Sequence, residues 1–337
     1  MIEYIPLACA AALTYVLVDW CRRQSKVANL EQRYVFITGC DTGFGQALAR
    51  KLDLLGFQVI AACLTEAGQQ ELRNSCTPRV KTVLLDVTDH ASVQRAFEFA
   101  QIVIPVSQGL WALVNNAGLG PVSAGPLEWL TVEDFQKTLE VNTLGLIDVT
   151  LTFLPLLKKG QGRLVNMSAS SGRLAGLHTL PTSVSKFGVE AFSDGLRQHL
   201  KISGCQVSVH VIEPGLFRTE GHNEATLCSV YEATWRRLAD GVRNNYDDIF
   251  YNDYQKYLKY TFRAMASPHV SMVIDAYEHA LTAESPRLRY TVGSDAMFSI
   301  LLSYLPSFVV DWIMCKSGPK LRPQNTKIRM SSKPTSL

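Results

Sequence analysis

The run Thr38-Gly39-Cys40-Asp41-Thr42-Gly43-Phe44-Gly45 has the make-up of a turn that holds a phosphate. Glycine lets the chain reverse tightly and brings backbone amides up to an anion, and a helix starting there adds its own free N–H groups. Glycine turns are common, so context decides: an aromatic and β-branched run at 34–38 precedes this one, and a helical stretch at 46–55 closed by Gly56 follows it. Further along, Lys186 offers an ammonium from a helical run, and Asn142 lies on a helix whose start is marked by Thr131 as cap with Glu133 and Asp134 in the first turn. One turn before Lys186 stands Thr182, an aliphatic hydroxyl that does not ionise near neutral pH. His178 has the ordinary pKa of a base, but its place reads as a loop at the rim of a cleft.

These groups need a scaffold that delivers them to one edge. Strand-length apolar runs at 34–38, 58–63, 80–85, 110–114, 163–167 and 207–212 alternate with helical stretches. Strands spaced by helices indicate a parallel sheet covered on both faces, the doubly wound α/β arrangement, whose ligands bind at the carboxyl ends of the strands. Leu85-Asp86-Val87, Asn115-Asn116-Ala117-Gly118 and Glu213-Pro214-Gly215, with Thr219 just beyond, all fall at such ends.

The expected organisation is a single domain over 28–315, preceded by an anchor and basic flank at 1–27 and followed by a polar tail at 316–337. Within the domain, 221–283 reads as a helical insertion over the substrate mouth. The very apolar 297–314, interrupted by Pro306, could pack on the core or lie on a membrane surface. With 47% hydrophobic and 19% charged residues, 337 residues can bury a large core without a metal or disulfide staple. A net charge of +3 is too small to argue for nucleic acid. The eight cysteines form no C-x-x-C pair, so no metal site is expected; they read as small core residues of a reducing compartment. Residues 5–18 are almost wholly apolar, with Arg22, Arg23 and Lys26 on the domain side. The run is short for a full span and fits a signal-anchor, an interfacial helix or a cleaved signal peptide, with Trp20 and two arginines against cleavage. The pattern favours a membrane anchor helix with the domain in the cytosol, because basic flanks stay on the cytosolic side.

As a set, the glycine turn, Asp86, the Asn115 to Gly118 run, Asn142, Lys186 and the Pro214 to Thr219 segment resemble the short-chain dehydrogenase/reductase family over about residues 34–220. The runs 36–45 and 185–196 look most like its branch of retinol dehydrogenases, 17β-hydroxysteroid dehydrogenases and D-3-hydroxybutyrate dehydrogenase. The resemblance implies a Rossmann-like fold and an NAD-linked oxidoreductase acting on an apolar alcohol of the hydroxysteroid or retinol class. It would be attached to the endoplasmic reticulum, or to a mitochondrial membrane as the alternative, and a homo-oligomer is expected by the same analogy. Residues implied to hold the dinucleotide are Gly39, Asp41, Thr42, Gly43, Phe44, Gly45, Asp86, Asn115, Ala117, Gly118, Lys186, Pro214, Gly215 and Thr219. NAD is favoured over NADP because neither the glycine turn nor the end of the second strand carries a cation for a 2′-phosphate; NADP is not excluded.

In the family's reaction a tyrosine four residues before the lysine moves the alcohol proton, a serine holds the substrate oxygen, and an asparagine completes a relay. Asn142 and Lys186 match two of these four. Thr182 stands at the tyrosine position and Ala169 at the serine position, 13 residues apart, a separation the family itself uses. The alternative implied by these two replacements is an inactive relative that binds dinucleotide, lipid or a partner.

Overall fold

The computed structural model describes residues 14, 18, 22–176 and 178–317. Most of the apolar run at 5–18, and with it the expected anchor, lies outside them, as do the residues after 317.

Seven parallel strands form one sheet in the order β3-β2-β1-β4-β5-β6-β7. They are β1 (Tyr34–Thr38), β2 (Gln58–Cys63), β3 (Val80–Leu84), β4 (Ala112–Asn115), β5 (Arg163–Met167), β6 (Ser208–Pro214) and β7 (Arg289–Val292). The chain winds outward from β1 to β3, returns to β4 on the other side of β1, and winds outward again to β7. The reversal between β1 and β4 leaves a crevice at their carboxyl ends. Central strands buried on both faces explain the unbroken apolar runs: β1 and β4 are almost completely enclosed.

One face is covered by α1 (Gly43–Leu54), α2 (Glu66–Ser75) and a late helix, α10 (Ser271–Thr282). Leu48, Leu52, Val273, Tyr277 and Leu281 meet Val35, Ile37 and Val114 of the sheet there. The opposite face carries α3 (His90–Val103), α5 (Leu146–Gly160) and α6 (Leu180–Ile202), with Phe153, Leu157, Val93 and Leu200 against Phe36, Ile60 and Leu113. Entry into α5 runs from α4 (Val132–Leu139) through a π-helical turn, Glu140–Gly145. The whole 132–160 stretch is long and apolar enough to cross a bilayer, but its apolar side packs on the sheet.

Two expectations need correction. The insertion over the mouth consists of α7 (Glu224–Arg236), α8 (Asp240–Arg243) and α9 (Asp248–Met265), held by an aromatic cluster around Trp129, Tyr231 and Tyr254. It stops short of 283, because Val273, Ile274, Tyr277, Ala280 and Leu281 repeat at helical spacing and bury against the sheet. That makes α10 the crossover into a seventh strand, Arg289–Val292, which the sequence reading did not include. The apolar carboxyl-terminal segment forms two helices, α11 (Ser294–Ser303) and α12 (Ser307–Ser317), separated at Tyr304 to Pro306.

Candidate dinucleotide and ligand site

The glycine turn is locked where the crevice opens. Gly39 and Gly43 have φ of 69° and 63°, a left-handed region that favours glycine. A Cβ on Gly39 would lie 2.7 Å from Ala117 Cα, and one on Gly45 would lie 2.2 Å from Gly39 O. Asn116 Nδ2 donates to Thr38 O and to Gly39 O, both at 3.0 Å, while Thr38 Oγ1 accepts from the N–H groups of Asn116 and Ala117 at 3.0 and 2.9 Å. The sequence reading left Asn116 out of the site; its work is to tie the β4 end to the turn. Thr42 caps α1 without a side-chain hydrogen bond, and the first turn of α1 has no acid. The amides that begin α1 are thus not satisfied by a side-chain cap, as an anion site requires. Phe44 contributes its backbone only, since its ring packs edge-on against Phe217.

Asp41 is tied down by the turn after β2. Its carboxylate accepts from Leu64 N (2.8 Å), Thr65 N (2.9 Å) and Thr65 Oγ1 (2.7 Å). Gly68 permits this approach, for a Cβ there would fall 2.6 Å from Asp41 Oδ1. The donors just before α2 are therefore occupied by a carboxylate of the chain itself, while Gly68 N in its first turn donates to Thr65 Oγ1. Asp86 is exposed, and its carboxylate accepts from Thr88 N and Thr88 Oγ1. Asn115 donates to Thr150 Oγ1 and Asn166 Oδ1, bracing β4 to α5 and β5, and its own Oδ1 has no protein partner. Pro214 ends β6, Gly215 N bonds Val292 O, and Thr219 lies against Gly43, so this segment reaches back to the turn.

Lys186 and Asn142 come together over Gly118. A Cβ on Gly118 would lie 3.2 Å from Asn142 Oδ1 and 3.8 Å from Lys186 Nζ. Asn142 accepts from Leu119 N (2.7 Å) and donates to Ser185 Oγ (3.0 Å), and the π-helical turn at 140–145 aims it inward. Lys186 Nζ donates to Met167 O at 2.8 Å, and burial lowers its pKa to about 8, against the opposing pull of Glu190. Beside these groups Thr182 Oγ1 is buried with no partner. Ala169 follows β5 in extended backbone and carries no polar group. Ser168 does not replace it: its Oγ lies beside Gly172 and Glu190, because neighbouring side chains of an extended chain point opposite ways.

His178 lies in the loop before α6. It packs against Tyr254 and Tyr257 of α9, and its Nδ1 bonds Tyr254 Oη. Burial pushes its pKa down to about 4, so it is neutral at pH 7 and a feeble base. Beneath α6, Arg289 of β7 pairs with Glu190, Glu213 (2.6 Å) and Asp194 (2.8 Å), and Arg173 pairs with Glu213 (3.0 Å). Among the described residues, Arg173 and Arg289 balance the enclosed Glu213, and no local sequence pattern signals this cluster.

A doubly wound sheet with this glycine turn and this asparagine–lysine pair defines a dehydrogenase-type dinucleotide fold. The chain belongs to the short-chain dehydrogenase family, whose model matches residues 33–227. It is 43% identical over 307 residues to 17-beta-hydroxysteroid dehydrogenase type 6 of Bos taurus, covering 91% of this chain and 95% of that protein. Retinol dehydrogenase 16 of Mus musculus is 45% identical over 301 residues, covering 89% and 93%. Short-chain dehydrogenase/reductase family 9C member 7 of Homo sapiens is 45% identical over 313 residues, covering 92% and 98%. Among solved structures, a short-chain dehydrogenase/reductase from Burkholderia phymatum in complex with NAD shares the fold at a TM-score of 0.64 and 21% identity, covering 90% of this chain and 98% of that one. One from Burkholderia cenocepacia in complex with NADP does so at 0.62 and 22%, covering 84% and 97%.

Proposed function

We propose that this chain is a membrane-attached, NAD-linked member of the retinol and hydroxysteroid dehydrogenase branch whose ligand is an apolar alcohol, and that its proton-transfer step is crippled. One contrast carries the reading: Asn142 and Lys186 stand together over Gly118, while Thr182 beside them offers a hydroxyl that cannot ionise. When bound, the dinucleotide supplies the hydride acceptor. Gly39, Gly43, Gly45 and the start of α1 would hold its pyrophosphate, and Lys186 its nicotinamide ribose. Asp41 supports NAD over NADP, since a 2′-phosphate would meet a carboxylate already holding the turn donors, with no lysine or arginine in 38–48 or 63–72. Attachment through the apolar 5–18 run with the domain facing the cytosol, at the endoplasmic reticulum, rests on the basic flank at Arg22, Arg23 and Lys26.

What this chain's own residues do to an alcohol is limited. Lys186 would bind the ribose and, on the oxidised side of the reaction, place a positive charge near the developing oxyanion. No side chain of the Ala169 and Thr182 pair can take the hydroxyl proton. Loss of a positioned acid/base costs roughly 10²–10⁴-fold. The double replacement also favours a second reading, a binding protein that holds dinucleotide and apolar ligand without turnover. Titrating NADH and NADPH into the purified chain, followed by nicotinamide fluorescence, tests the shared part of both readings. Tighter binding of NADH is expected; failure of either nucleotide to bind removes the cofactor assignment. Alcohol oxidation with saturating NAD then separates the two readings.

A further inference from the structure

α6 carries a second buried ionisable group beside Lys186. Glu190 stands four residues further on, one helical turn along and on the same face. Both are enclosed, Lys186 at 7% and Glu190 at 6% exposure. A carboxylate shut in this far needs a partner for each oxygen, because its charge is expensive to take out of water. Glu190 has a partner for one. Its Oε2 pairs with Arg289, while among the described residues no hydrogen-bond donor reaches Oε1. The acids around it are better served. Glu213 of β6 has Arg289 at 2.6 Å and Arg173 at 3.0 Å. Asp194, the next acid on α6, has Arg289 at 2.8 Å and Arg197 at 2.9 Å.

The space between the end of β5 and α6 is filled by these groups and the backbone. A Cβ on Gly172 would lie 2.9 Å from Lys186 O, 2.9 Å from Ser168 Oγ and 3.1 Å from Glu190 Cγ, so no larger residue fits there. Ser168 Oγ is near enough to pull on the Glu190 carboxyl but makes no aligned hydrogen bond of its own. In so dry a place charges act on one another across a gap that no bond spans.

Lys186 is the cation that stands to gain. Its Nζ donates to Met167 O at 2.8 Å. A carbonyl accepts from a neutral amine as well as from an ammonium, so this bond does not fix the charge. Burial pulls the lysine down to about 8, close to neutral pH, and the opposing pull comes from Glu190. The other charges at this corner are Glu213 from β6, Arg289 from β7, Arg173 from the turn after β5, and Asp194 and Arg197 on α6, all paired with one another. The Tyr304 hydroxyl is taken by Arg173, and Asn142 from the π-helical turn is neutral.

We propose that Glu190 is the positioning residue of Lys186: its carboxylate, left with one free oxygen, holds Lys186 as an ammonium at neutral pH. The ammonium then makes a charge-assisted hydrogen bond to the nicotinamide ribose, stronger than the bond of a neutral amine. That consequence rests on the ribose contact proposed above; the coupling of the two side chains does not.

The test uses the full chain in detergent micelles, with lysine carbon-13 labelled at Cε and the Lys186 resonance identified by its loss in Lys186→Met. Lys186 should titrate near pH 8 in the unaltered chain. In Glu190→Gln it should titrate about one unit lower. Glu190→Asp, which keeps the charge, should stay close to the unaltered chain. A packing role for Glu190 would move stability and leave the lysine titration where it is. NADH affinity near pH 8 should fall roughly fivefold in Glu190→Gln, because the ammonium fraction falls by about that factor. An unchanged Lys186 titration in Glu190→Gln overturns the proposal. So does an unaltered chain whose Lys186 is already an amine at neutral pH, a result that decides the matter even where Glu190→Gln does not fold. A shifted titration with no NADH binding by either protein upholds the coupling and removes the cofactor reading instead.

Discussion

The turn edge of the crevice and the corner under α6 are built to the same standard but equipped differently. At the turn edge the backbone is clasped by side chains: Asn116 holds Thr38 and Gly39, and Asp41 holds Leu64 and Thr65. At the corner Asn142 is held on Leu119 and Ser185, and Arg289 stands among three carboxylates. Only the two side chains that would face an alcohol oxygen are blank, Ala169 and Thr182. A corner decaying through general loss of constraint would lose its frame as well. On the function proposed above, loss confined to two positions would leave a cofactor platform without its proton handler.

The comparison can be broken first at the frame. Arg289→Ala strands Glu190 and leaves the enclosed Glu213 with Arg173 alone, and removing one partner of a buried ion pair costs about 3–5 kcal/mol. Urea unfolding should show this loss; an unchanged midpoint would mean the cluster is solvated and the corner's frame is looser than described. At the turn edge, Gly45→Ala drives a methyl into Gly39 O, and overpacking of that kind costs about 1–3 kcal/mol, or roughly 10–100-fold in NADH affinity if the turn absorbs it. Retained affinity would show that the turn does not carry the pyrophosphate.

A smaller effect is expected at Asp41→Asn, which keeps the polar shape and removes the charge. One like charge at 4 Å is worth about 1 kcal/mol even in bulk water, so NADPH affinity should rise roughly fivefold relative to NADH. No change in the ratio would move nucleotide choice elsewhere.

At His178 the expected effect is on the pH dependence of stability and not on turnover. Its folded pKa, about 4, lies below the ordinary value of 6.5, so the unfolded chain binds more protons between those limits. Stability from the neutral, buried ring is complete above about pH 6.5 and is lost as pH falls toward 4. His210, also lowered to about 4 by burial, adds to the same window. His178→Gln should make unfolding free energy less steep in pH across that range while leaving turnover unchanged. A drop in turnover would restore His178 as a proton acceptor.

Much of this was legible in the residues. The strands β1, β2 and β5 announce themselves because central parallel strands are apolar on both faces, and the glycine turn because few residues tolerate its backbone. β7 was hidden by its position at the edge: Arg289 and Thr291 are pulled outward to the carboxylates while only Tyr290 and Val292 bury. α10 was grouped with the mouth because its polar face resembles α9, although its apolar repeat belongs to the core. The roles of Asp41, Asn116 and Arg289 depend on partners 23 to 99 residues away, and no local pattern reports such contacts.

A chain that keeps its nucleotide site and has lost proton transfer at two positions should bind NADH and turn over poorly. The most direct measurement is kcat for oxidation of an apolar secondary alcohol with saturating NAD, for the chain as it is and for Ala169→Ser with Thr182→Tyr, with NADH affinity determined for both. Nearly equal affinity and a kcat gain of roughly 10²–10⁴-fold in the double variant are expected. Equal turnover in the two proteins at equal affinity would contradict it.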